Sequence, residues 1–76
     1  MPALIPARAM GYIHEVQGPV VVIRCEYMPA LGRALRARLD DDDVLFEVHQ
    51  HLDETHVRAI TLHSNAGLSR GMPIFD

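Results

Sequence analysis

Arg33-Ala34-Leu35-Arg36-Ala37-Arg38-Leu39 is the stretch on which the fold class turns. Ala, Leu and Arg all favour helices, so propensity alone would write a helix through Leu31 to Leu39. The order of the residues says otherwise. Leu35, Ala37 and Leu39 alternate with Arg36 and Arg38, which is the period of a half-buried strand, and that alternation outweighs propensity.

Working outward, Gly11 to Gln17 and Val20 to Cys25 read as two further β segments, rich in Val and Ile and divided by Gly18-Pro19. Glycine permits a bend there and proline supplies no ladder donor. Val21, Ile23 and Cys25 share one face, assigned to the core, and Val22 and Arg24 the other. Glu26 to Gly32, with Pro29 and Gly32, reads as a loop. Asp40 to Asp43 puts four acids in succession, too repulsive for a strand and suited to an exposed hairpin tip. Val44 to Gln50 and His56 to His63 resume as strands about a turn at Leu52 to Thr55, and Met72 to Phe75 forms a last short one. Periodicity leaves open which face of the His56 strand points inward. The first ten residues hold two prolines and no period, so residues 1–10 are expected to be a flexible arm and 11–76 the domain.

Six short strands without a helix imply an all-β, antiparallel sheet. Left open in so small a domain it would expose edges, so the expectation is a small closed six-stranded antiparallel β-barrel. Seventy-six residues allow one domain with a modest core. Hydrophobic content of 49% with 22% charged residues is globular. The net charge of −3 and the absence of Trp argue against nucleic acid as a partner. Cys25 is the single cysteine, which excludes an internal disulfide and fits a reducing, cytoplasmic setting. The longest apolar run, Pro19 to Ile23, is far short of the roughly 20 residues that cross a bilayer as a helix.

Phe46-Glu47-Val48-His49-Gln50-His51-Leu52, then Val57-Arg58-Ala59-Ile60, then Gly67-Leu68-Ser69-Arg70-Gly71, resemble the N-terminal domain of the catalytic beta subunit of F-type ATP synthases. The family pattern runs L-E-V-x-Q-H-L, V-R-x-I and G-L-x-R-G. Gly11-Tyr12-Ile13 and Gly18-Pro19-Val20-Val21 resemble its opening G-x-I and G-P-V-V, so the likeness covers Gly11 to Asp76. His49 departs from the family's usual small residue, Val22 from its usual acid, and the loop at Asp40 to Asp43 is unusually acidic. Thr55-His56-Val57-Arg58 and Arg70-Gly71-Met72 look closer to the divergent second-copy ATPases of some bacteria.

The resemblance implies a six-stranded barrel that alternates with alpha-subunit N-terminal barrels in a crown of six, part of a catalytic head on the cytoplasmic face of the bacterial inner membrane. It also implies ATP or ADP and magnesium in a parent subunit coupled to ion transport. In the chain itself no G-x-x-x-x-G-K-[ST] loop occurs, so no phosphate cradle is expected, and the fragment is expected to have no catalytic, cofactor or metal site of its own. The family usually continues Thr-Gly after Asp76, which points to an excised fragment.

Chemical candidates remain to be weighed. His49 and His51 at i, i+2 should share one strand face, and His14, His56 and His63 would have to complete the roughly four ligands of a zinc site. Scattered histidines on a barrel are more often surface residues, and His51 fits a structural hydrogen bond near the turn. Asp40 to Asp43 lacks the spacing and glycine of a calcium loop. Cys25 faces inward and reads as an inert thiol. Glu15, Glu26 and Glu47 would make a hydrolytic pair only if two faced each other across a cleft. The rival reading is a free-standing small barrel that binds an oligonucleotide or ligand, and a small hydrolase is a weaker third.

Overall fold

The structure, a computed structural model, describes residues 8–62 and 67–76. They form six strands and, among the described residues, no helix: β1 (Gly11–Gln17), β2 (Val20–Cys25), β3 (Ala34–Leu39), β4 (Asp42–His51), β5 (His56–Thr61) and β6 (Pro73–Ile74). All pairings are antiparallel, in the order β3-β4-β5-β2-β1-β6. The two ends of that order meet at Arg36 and Phe75, which exchange backbone bonds of 2.9 and 2.8 Å. The barrel is therefore nearly closed, and the helix that propensity offered over Leu31 to Leu39 is absent. In β3, Leu35 and Ala37 are buried and Arg36 and Arg38 exposed.

The interior is filled from every strand. Val21, Ile23 and Cys25 face in, as do Phe46, Val48, Leu35 and Ile74. On β5, whose inward face periodicity left open, Val57 and Ala59 are buried and Ile60 faces out. Size explains this choice of face: a small barrel has a narrow lumen, so small residues such as Ala37 and Ala59 take inward positions beside the large Phe46.

Two β-bulges interrupt the alternation. Ile13 pairs with Ile23 and Glu15 with Val22, which leaves His14 unopposed; Val48 pairs with Ala59 and Gln50 with Arg58, which leaves His49 unopposed. Each bulge resets the inward phase of its strand and raises the local twist that closure requires. Gly11 sits at a close strand approach, where a side chain would run into the Arg24 carbonyl oxygen.

Three sequence expectations need correcting. Asp42 and Asp43 belong to β4, paired with Leu39 and Arg38; only Asp40 and Asp41 form the turn, with Asp40 at φ 56. The acids are tolerated in the strand because this end of the hairpin is exposed and Arg38 lies 3.9 Å from Asp43. Met10, assigned to the leader, is buried; its amide donates to the Ile74 carbonyl at 2.8 Å and its carbonyl accepts from Glu26 at 2.7 Å. β5 stops at Thr61, Leu62 follows it as a bend, and His63 lies outside the described residues. So do residues 1–7 of the expected arm.

Candidate interaction surface

The histidines do not converge. Because His49 is the bulged residue, the i, i+2 rule fails across it and His49 and His51 do not share a face, contrary to the sequence reading. His49 stays outside, 4.0 Å from Glu47. His51 pairs with the inward-facing Val57, and its Nε2–H donates to the Pro29 carbonyl at 2.7 Å. That bond ties the loop after β2 to the end of β4, the structural role expected of it. His14 and His56 meet edge to face with ring centroids 5.1 Å apart. His56 Nδ1 lies 3.0 Å from Asp53 Oδ1. Among the described residues no group of three or more His, Cys, Asp or Glu side chains is placed to hold a metal ion.

Asp53 finishes the β4–β5 turn. Its Oδ1 accepts from the amides of Thr55 and His56, each at 2.8 Å. The Thr55 amide, followed by the His56 side chain, holds the Asp53 carboxyl down at about 2. Cys25 is buried, and burial pushes its thiol up to about 11, so it remains protonated and unreactive. Glu15 on β1 and Glu47 on β4 are separated by β2 and β5, and Glu26 lies in the loop after β2, so these acids form no facing pair.

The outside of the barrel carries two unlike walls. On β2, β5 and β4, Val20, Val22, Ile60 and Leu45 alternate with the core residues and point away from the core, and Leu62 follows β5 as an exposed residue. Val20 pairs with Ile60, and the Leu62 amide donates to the Leu45 carbonyl at 2.9 Å, so the side chains adjoin across three strands. The Val20–Ile23 run hides this wall in the sequence, because consecutive apolar residues read equally as core on both faces. Polar groups interrupt it: Glu47 is the cross-strand partner of Ile60 and lies beside His49, and Arg58 is that of Val22 and donates to Gln50.

Next to Leu45, whose cross-strand partner is Arg36, Arg36, Arg38, Asp43 and Phe75 line an open groove of about 380 Å³ at the β3–β6 seam. Near the same seam Asp76 accepts from Tyr27 Oη and Arg33 Nε, both at 2.7 Å. Those two bonds hold the Asp76 carboxyl below the usual carboxylate range. The groove combines two arginines with one aromatic ring, and Asp43 partly offsets Arg38. Oligonucleotide-binding barrels instead offer a basic track with successive stacking rings.

The chain matches the ATP synthase alpha/beta family, beta-barrel domain, over residues 13–76. It is 48% identical over 64 residues to ATP synthase subunit beta 1 of Paraburkholderia xenovorans, an alignment covering 80% of this chain and 13% of that protein. The chain thus spans about an eighth of the length of that relative.

Proposed function

From the premise that the chain belongs to the ATP synthase alpha/beta family, as the N-terminal β-barrel domain of a beta subunit, we propose that it is a non-catalytic tie between subunits. In this reading it alternates with alpha-subunit barrels to hold a hexameric head together while the rest of the beta subunit binds nucleotide with magnesium and couples ATP synthesis or hydrolysis to ion transport. The head stands on the cytoplasmic face of a bacterial inner membrane. The barrel contributes no ligand to nucleotide, metal or membrane.

The observation that carries the reading is the family match from Ile13 to Asp76, supported by a lumen filled with side chains. A packed lumen leaves the outer walls as the working surface, and rigid closure suits a part that must keep its shape while neighbours move. The barrel by itself is a monomer or a weak oligomer, because its walls face unlike partners and a ring of identical copies would need a head-to-tail fit between them. Sedimentation of the chain at tens of micromolar, alone and with the alpha subunit of the same complex, tests this. The expected outcome is a mass near 8.5 kDa alone and association on mixing. A stable homohexamer, or no association with the alpha subunit, refutes the reading. Calorimetric titration with magnesium and ATP should give no saturable heat, and a micromolar dissociation constant would contradict the non-catalytic assignment.

A further inference from the structure

The β3–β6 seam leaves a recess that closure of the barrel does not use. Arg36 and Phe75 face each other across it in a single bridge, so their side chains stand on the same face of the sheet. Stepping that antiparallel register by two residues sets Pro73 against Arg38, and proline has no amide with which to extend the ladder. The seam therefore stays open beside Arg38, and Arg36, Arg38, Asp43 and Phe75 line the resulting groove of about 380 Å³. That volume lies at the small end of the roughly 300–1,000 Å³ of ligand sites.

The charges in the groove are unequally engaged. Arg38 lies 3.9 Å from Asp43, its cross-strand partner. Among the described residues, none pairs with the Arg36 guanidinium. Two guanidinium groups against one carboxylate leave a single positive charge in excess, beside the half-buried Phe75 ring. A planar guanidinium takes a carboxylate through two parallel N–H donors, and an aromatic ring prefers another flat ring as its neighbour.

We propose that this groove is a binding site for a small, flat aromatic monocarboxylate, with its ring against Phe75 and its carboxylate on the Arg36 guanidinium. The charge balance sets the ligand class. A polyphosphate carries more negative charge than the groove offsets and would set some of it against Asp43. A neutral ring would strip water from Arg36 and give nothing in return. Phe75 also borders a second recess of about 300 Å³, which holds Arg8, Glu26, Tyr27 and Asp76. There two carboxylates stand against one guanidinium, and Asp76 is already engaged by Tyr27 and Arg33. An anion is therefore drawn to the Arg36 side of the ring. Occupancy needs no neighbouring subunit.

The test is titration of the chain with 2-naphthoate, followed through the Phe75 ring and Arg36 side-chain resonances. A saturable shift with a Kd on the order of 1 mM or tighter is expected. The neutral analogue 2-naphthalenemethanol and the non-aromatic acid cyclohexanecarboxylate should each bind roughly fivefold more weakly or worse. Arg36→Gln should weaken naphthoate binding by about fivefold or more, and Phe75→Leu by about threefold or more. Asp43→Asn, which releases Arg38, should tighten it by about twofold. In the unsubstituted chain a ligand spanning β3 and β6 favours the closed seam, so at ten times its Kd naphthoate should slow exchange of the Arg36 amide about tenfold. The neutral analogue at the same concentration should leave that exchange nearly unchanged, and neither readout depends on the folding of a variant. The proposal is overturned if naphthoate fails to saturate by about ten times the expected Kd, or if the alcohol binds as well as the acid. It is equally overturned if Arg36→Gln keeps the wild-type affinity, or if the shifts gather at Met10 and Tyr27, which would put the ligand in the second recess.

Discussion

The β2–β5 junction and the β3–β6 seam do the same topological job with unequal means. β2 and β5 are paired from Val20–Ile60 to Arg24–His56, residue for residue, whereas β3 and β6 meet in the single Arg36–Phe75 bridge. A barrel of this size therefore closes unevenly: one side is a continuous ladder over core residues, and the other is a clasp helped by the Tyr27–Asp76–Arg33 contacts. Local opening should begin at the clasp, because backbone bonds there have few neighbours to cooperate with.

The heaviest blow to that contrast is Val57→Asp, on the continuous side. Val57 is fully buried in β5, and an unpaired carboxylate there should cost about 4 kcal/mol or more. Set against a total stability of roughly 5–15 kcal/mol, this should abolish the cooperative urea transition; a folded variant with a near-normal midpoint would show that the ladder side is not the stable half. The clasp is probed by Phe75→Pro, which removes the amide that donates to the Arg36 carbonyl at 2.8 Å. A loss of about 1–3 kcal/mol is expected, with Phe75→Leu retaining most of the stability. In amide exchange the Arg36 amide should become fast while that of Ile23 stays protected, and equal loss at both would mean that the barrel opens as one unit.

The smallest effect separates the turns. Asp53 titrates at about 2 in the folded chain, held down first by the Thr55 amide. Its folded value lies below the ordinary carboxylate value near 4, so its contribution is present above about pH 4 and is lost as pH falls toward 2. The Thr55 and His56 amide resonances should titrate together near pH 2. A midpoint close to 4 would show that the turn does not depend on this carboxylate.

Most of the ladder was legible because alternation survives wherever one face is buried, as in Leu35-Arg36-Ala37-Arg38 and in Val21, Ile23 and Cys25. It was illegible where one residue is inserted. His14 and His49 look like any other strand residues, and only pairing reveals that each stands unopposed, which is why His49 and His51 were expected on one face. The outer wall escaped for the opposite reason: Ile60 is larger and more apolar than the inward Ala59, so hydrophobicity alone points the strand the wrong way, and only the width of the lumen decides. The short strand of Asp42 and Asp43 depended on solvent access and on Arg38, neither visible in a run of acids. The absence of a phosphate loop, by contrast, needed no structure to be read.

Cys25 has a use that has nothing to do with chemistry in a site. It is the chain's single sulfhydryl, buried inside the barrel with burial pushing its thiol up to about 11, so at pH 8 the folded chain holds it as the unreactive thiol. An alkylating reagent then modifies the chain at the frequency with which the barrel opens far enough to bare that residue, and the labelling rate becomes an internal clock for breathing. Since Cys25 pairs with Gly11, whose other neighbour Ile74 adjoins the clasp, and Tyr27 two residues on bonds Asp76, the clock should quicken when the clasp is loosened as well as when the whole barrel gives way.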